Sequence, residues 1–274
     1  MQPHPWNTDF SWTRAETAPR QLSTEEVDHF HTEGWLVIEN LIDEATVVEV
    51  TRQLDEIEAE VEAALKQMPD ERLFIAEAGA ITFAPHAVAR SEAARSVSKH
   101  PAITGICHDL IGPDVRLYWD QIVYKKPAKP RPFPWHQDNG YTYVEPQQYL
   151  TIWLSLTDAT VDAGCPWVVP RLHLDGTLAH EYVDPLGFQC FADHPDAIAA
   201  PVGRGGAVVF SSLTPHLTGP NITDDVRKTY ILQYAPDGAR KLDDSFTAGH
   251  KATGELQNDE TRQYLVVSHG VAVV

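Results

Sequence analysis

The stretch PFPWHQDNGYTY (residues 132–143) sets a histidine and an aspartate two positions apart among aromatic rings. Successive side chains of an extended strand point to opposite faces, so residues i and i+2 share one. On that geometry His136 and Asp138 aim an imidazole and a carboxylate at a common point. Such a pair fits a surface salt bridge, a structural hydrogen bond or two ligands of a metal ion, and the stretch alone leaves all three open.

What surrounds it reads as β-rich. VRLYWDQIVYKK (115–126), YLTIWLSLTD (149–158), GAVVFSS (206–212) and RKTYILQYAP (227–236) are strand candidates separated by Pro and Gly turns, whereas the prolines of KPAKPRPFP (126–134) bar regular pairing. Helices precede them. Ser23 and Glu26 form a capping-box pattern before a helix over about 24–32, and Gly34 stops it. WLVIENLI (35–42) reads as a buried strand. Apolar residues at Val47, Val50, Leu54, Ile57, Val61 and Leu65 mark an amphipathic helix from Glu44 to about Lys66. A third helix is expected over Ser91–Gly112 with interruptions, a short one near 258–265, and a terminal apolar strand in SHGVAVV. Helices followed by short strands predict an antiparallel sandwich or barrel with the helices packed outside. One domain is expected, with residues 1–20 as an arm laid over it and 237–274 as a C-terminal extension.

Composition narrows the function classes. The 21 basic and 39 acidic residues give a net charge of −18, which argues against nucleic acid or an anionic membrane as partner. No apolar run approaches a bilayer span, and the N-terminus lacks the basic start and apolar stretch of a secretory signal. Cys107, Cys165 and Cys190 are too few and scattered for a disulfide framework, so a reducing, cytoplasmic setting is expected.

Among 13 histidines, His216 stands apart because it ends the apolar strand GAVVFSSLTPH, where a strand reaches the mouth of a barrel. His136, Asp138 and His216 together make a two-histidine, one-carboxylate set, which holds Fe(II) on one octahedral face and leaves three positions open. Arg227 follows 11 residues later, across TGPNITDD, and a hairpin of that length would return it to the same interior. There a guanidinium takes a carboxylate through two parallel hydrogen bonds. Alternation places Thr229, Ile231 and Gln233 on the face of Arg227. The basic run Lys125, Lys126, Lys129 and Arg131 reads as a solvated loop.

The ordered set WHQDNGYTY, YLTIWLSLTDATVDAGCPWVVPRLH and GAVVFSSLTPHLTGPNITDDVRKTY resembles the phytanoyl-CoA dioxygenase family of Fe(II)/2-oxoglutarate oxygenases, over about residues 22–236. The resemblance implies a double-stranded β-helix (jelly-roll, cupin-like) core, mainly β with flanking α. It implies Fe(II) on His136, Asp138 and His216, with 2-oxoglutarate and O2 as cosubstrates. Arg227 would take the distal carboxylate of 2-oxoglutarate with help from Thr218, and Gln121 and Trp153 would line the cosubstrate pocket. Trp135, Tyr141 and Tyr143 would pack over the site and hold substrate. The implied reaction hydroxylates a small organic molecule, a natural-product or acyl-type metabolite of secondary metabolism, with release of succinate and CO2. A carboxylate at Asp138 favours oxygenation over halogenation, since related halogenases have Gly or Ala there. PRLH (170–173) departs from the Gly-Ser common in the family, and no family lysine aligns near residue 80. Two other readings compete: a catalytically silent jelly-roll that binds metal or 2-oxoglutarate, and a zinc hydrolase, for which the HExxH helix is missing.

Overall fold

The computed structural model describes residues 1–242 and 254–273. Its core is an antiparallel jelly roll of two facing sheets. The larger sheet runs, in spatial order, Trp35–Ile38, Ala207–Ser211, Leu150–Ser155, Arg227–Pro236, Val115–Lys125 and Ile81–Pro85, with two short strands continuing that edge. The smaller runs Ile198–Ala199, Pro166–Val168, His216–Thr218 and Phe133–His136. From Val115 onward the main strands alternate between the sheets: Val115–Lys125 in the larger, Phe133–His136 in the smaller, Leu150–Ser155 back in the larger, and so on to Arg227–Pro236. That alternation winds the chain into a barrel.

Leu150–Ser155, central in the larger sheet, is buried on both faces, and four of its six residues are apolar. Ile152, Leu154, Leu232 and Tyr230 meet the helices, while Trp153, Ile231, Val208 and Phe210 form a second cluster facing the barrel interior. Pleating thus reserves one face of each strand for stability and the other for the site.

The helices follow their capping signals. Thr24–Glu33 carries the complete Ser23–Glu26 capping box and ends at Gly34, whose φ of 88° suits a residue without Cβ. Glu44–Leu65 is capped by Asp43 and buries Val47, Val50, Leu54 and Ile57 against the sheet. The expected third helix is two, Glu92–Ser98 and Pro101–Leu110, because Pro101 cannot continue the first and instead opens the second. The strand expected over 35–42 stops at Ile38. Near the N-terminus Pro3 bridges Leu178 and the Trp12 ring packs edge-on against His173, while Arg14 pairs with Asp28 and the Arg20 N–H donates to Asp109 on the helices.

Two expectations near the C-terminus fail. No helix forms near 258–265; Asp259 instead closes a turn by accepting from the Thr261 N–H and Arg262 Nε, and Leu265–Ser268 follows as a strand. SHGVAVV is not one strand but the end of a hairpin, in which His269 and Gly270, both at positive φ, turn Leu265–Ser268 onto Val271–Ala272. Val274 and the 243–253 part of the expected extension lie outside the described residues. Among the described residues no helix is long and apolar enough to cross a membrane.

Candidate active site

His136 and His216 are brought together by register. They sit directly opposite one another on neighbouring strands of the smaller sheet, with ring centroids 4.1 Å apart. Each Nδ1 is hydrogen-bonded to the carbonyl two residues earlier: His136 to Pro134 at 2.8 Å and His216 to Thr214 at 3.0 Å. A carbonyl can only accept, so Nδ1 carries a proton, and in the neutral tautomer this selects, Nε2 is the ligand atom. Burial, and then the neighbouring His216, lower the pKa of His136 and keep its imidazole neutral.

Asp138 reaches the same point by a different route from the one expected. The strand ends at His136, Gln137 stays extended, and Asp138 opens a single helical turn, Asp138–Tyr141. The common aim of residues 136 and 138 survives because the chain remains extended through the residue between them. Asp138 Oδ1 lies 4.0 Å from His136 Nε2 and 3.8 Å from His216 Nε2. All three ligand atoms fall within 4.8 Å of one another, close enough for one ion to touch each. Thr151 Oγ1 donates to Asp138 Oδ2 and leaves Oδ1 turned to the histidines. Thr151 shares the barrel-facing side of its strand with Trp153, and i,i+2 spacing from Trp153 is the signal that could have found it. Gln137 is fully buried and anchors the turn, donating to the Gly176 and Leu213 carbonyls and accepting from the Leu178 N–H.

Arg227 does not arrive by a hairpin. His216–Thr218 belongs to the smaller sheet and Arg227–Pro236 to the larger, so the turn between them crosses the barrel. The guanidinium is 1 % exposed and its Cζ stands 4.9 Å over the Trp153 ring. Nη1 donates to Thr229, but Nε and Nη2 have no protein partner. Burial pulls its pKa down to about 9, still high enough for a full charge at neutral pH. A buried cation with two idle donors is costly unless an anion meets it. Nε and Nη2 form one edge of the guanidinium, and a carboxylate fits that edge with two hydrogen bonds.

The three ligands and Arg227 line one cavity of about 230 Å³. Thr218, Gln121, Trp153 and Tyr141 line it as well, as do Ile231 and Gln233. Trp135 and Tyr143, expected over the site, lie elsewhere. Trp135 neighbours His136 on a strand, so it points to the opposite side and packs on Phe191. Tyr143 follows the helical turn and packs on His4 and Trp6. Ile81 and Phe83 occupy the wall near residue 80 where the family lysine is missing. In PRLH, Arg171 takes a left-handed conformation and pairs with Glu33, while His173 is buried away from the cavity.

The basic run is not a solvated loop. Lys125 is buried and donates to the carbonyls of Arg131, Thr218 and Gly219; Lys126 pairs with Glu58 and Glu62, and Lys129 and Arg131 pair with Glu77.

Residues 30–229 match the family described as Phytanoyl-CoA dioxygenase (PhyH). Among curated proteins, the chain is 26% identical over 148 residues to phytanoyl-CoA dioxygenase domain-containing protein 1 of Danio rerio, covering 50% of this chain and 51% of that one. It is 33% identical over 128 residues to methylphosphonate hydroxylase of Gimesia maris, covering 46% and 47%. These matches span about half the length of those relatives. Among solved structures, the carbocyclase SnoK from nogalamycin biosynthesis superposes with a TM-score of 0.73 at 24% identity, covering 92% of this chain and all of that one. The epimerase SnoN, solved with Fe3+, alpha ketoglutarate and nogalamycin RO, superposes with a TM-score of 0.67 at 21% identity, covering 88% and 97%. At these identities the likeness is one of fold.

Proposed function

Because the chain belongs to the phytanoyl-CoA dioxygenase family, we propose that it is an Fe(II)- and 2-oxoglutarate-dependent oxygenase that hydroxylates an unactivated C–H bond of a small organic molecule. The observation that carries this reading is a pair of features in one cavity: three converging metal-type ligands, and a buried guanidinium with two idle donors. Two neutral imidazoles and one carboxylate suit Fe(II), and the guanidinium edge suits the far carboxylate of 2-oxoglutarate. When bound, the iron and cosubstrate supply O2 activation, with 2-oxoglutarate leaving as succinate and CO2.

The protein's own contributions are positional. The carbonyls of Pro134 and Thr214 fix the histidine tautomers, and Thr151 fixes the Asp138 carboxylate. Thr229 and the Trp153 ring hold Arg227 with its free edge available. Phe210, packed 4.3 Å from the His216 ring, and Ile231 keep water from that wall of the cavity.

Aerobic incubation with Fe(II) and 2-oxoglutarate, without substrate, is expected to yield slow succinate formation. Its absence would instead favour the catalytically silent binder, and turnover with Zn(II) in the absence of O2 would favour a hydrolase. Thr151→Val removes the hydroxyl at nearly constant volume and should weaken Fe(II) affinity by about 10- to 100-fold. Competition against a chelator measures this, and an unchanged affinity would mean that Asp138 needs no such support.

A further inference from the structure

One wall of the cavity, formed by Ile75, Phe133 and Tyr141, continues into a ladder of rings. Tyr141 packs edge-on to the His136 ring at 5.3 Å and stacks with Phe133 at 6.0 Å. Its hydroxyl accepts the Phe188 N–H at 2.9 Å, and the Phe188 ring stands 5.2 Å away. Phe188 meets Tyr182 at 5.6 Å, and Tyr182 stacks on Phe74 at 5.3 Å with the planes 17° apart. The outermost rings are open to solvent: Phe74 is 52% exposed and Tyr182 42%. These rings come from two segments, Arg72–Glu77 and the hairpin Glu181–Gln189. Gly187 lets the hairpin press inward, since a Cβ there would lie 2.4 Å from the Tyr141 hydroxyl and 3.2 Å from Ile75. Ile75, Phe133 and Tyr141 all line the cavity, so the ladder is continuous with it.

Charge along this path is the second observation. Among the described residues lining the cavity, Arg227 is the one Lys or Arg side chain, and the proposed function commits it to 2-oxoglutarate. Nearby cations are engaged: Arg131 with Glu77 and the Ile75 carbonyl, Arg72 with Asp184, and Lys125 with backbone carbonyls. A phosphonate, or the phosphates of a coenzyme A thioester, needs fixed cationic donors of its own. Asp138 is the one cavity-lining carboxylate among the described residues, and it is committed to the histidines and Thr151, so the cavity wall offers a cationic substrate no free carboxylate either.

We infer that the substrate is an uncharged compound with two or more rings, held by stacking along the ladder from Tyr141 to Phe74 and Tyr182. This rests on the oxygenase reading, which keeps Arg227 for the cosubstrate. Offset and edge-to-face ring contacts are worth enough that losing one outer ring should weaken a stacked ligand by roughly two- to tenfold.

The test uses the full chain loaded with Zn(II) and 2-oxoglutarate, and three probes that share one ring system: 2-naphthol, 2-naphthyl phosphate and 2-naphthylmethylammonium. Titration followed by ligand-observed NMR should show 2-naphthol binding more tightly than either charged probe, with its affinity reduced in Phe74→Ala and in Tyr182→Ala. Both side chains are largely exposed, so both variants should fold. Tighter binding of either charged probe, or an affinity for 2-naphthol unchanged in both variants, would overturn the inference. 2-Oxoglutarate affinity is measured in the same wild-type sample. Its loss would count against the oxygenase reading, whereas its retention without 2-naphthol binding would count against the ring ladder alone.

Discussion

Arg227→Ala should weaken 2-oxoglutarate binding by about 2–5 kcal/mol, the scale of removing one member of a buried, hydrogen-bonded charge pair. Isothermal titration into the metal-loaded protein measures it. The side chain is buried with Nε and Nη2 unpartnered, so the folded protein holds a desolvated charge that it does not itself satisfy. Arg227→Met should therefore behave unusually. It keeps most of the apolar stem, removes the buried charge, and should raise the melting temperature of the cosubstrate-free protein while abolishing 2-oxoglutarate binding. Arg227→Lys keeps a charge but loses the two-donor edge, and should recover only part of the affinity. If Arg227→Ala binds 2-oxoglutarate like the wild type, the anchor is another group. If Arg227→Met is much less stable than wild type, the guanidinium has partners that the structure does not contain.

The second large effect belongs to the ligands. His136→Ala, and separately His216→Ala, should abolish stoichiometric retention of Fe(II) after gel filtration, because two remaining ligands cannot hold a labile ion against dilution. The fold should survive. Each Nδ1 donates to the carbonyl two residues earlier, a local contact on which the strand pairing does not depend. Metal analysis paired with circular dichroism separates lost ligation from lost structure. Full iron content in both variants would mean that the metal is held elsewhere.

Much of this was legible in the sequence because residue types and pleat geometry constrain each other. His136 and Asp138 were legible from their i,i+2 spacing, and the face shared by Arg227, Ile231 and Gln233 from alternation; His216, expected to end the strand Ala207–Ser211, instead opens a separate strand of the smaller sheet, His216–Thr218. Failures arose where the chain leaves regular structure. Asp138 sits on a helical turn, which strand alternation does not describe, and the turn carries Tyr143 away from the cavity. Trp135 was misplaced although alternation itself excludes it, being adjacent to a residue that faces inward. Lys125, Lys126, Lys129 and Arg131 looked solvated because their partners, Glu58, Glu62, Glu77 and the carbonyls after His216, are remote in sequence. The ring ladder was invisible for the same reason: Phe74 and Tyr182 are more than a hundred residues apart and meet only in the folded chain.

Anaerobic addition of 2-oxoglutarate to the Fe(II)-loaded protein tests the central claim most directly. A keto acid chelated to ferrous iron produces a visible charge-transfer band. The account predicts that the band appears saturably in the wild type, is absent in His136→Ala, and in Arg227→Ala requires far higher 2-oxoglutarate concentrations. A wild-type protein that retains iron yet shows no band, or a band that titrates identically in Arg227→Ala, would contradict it.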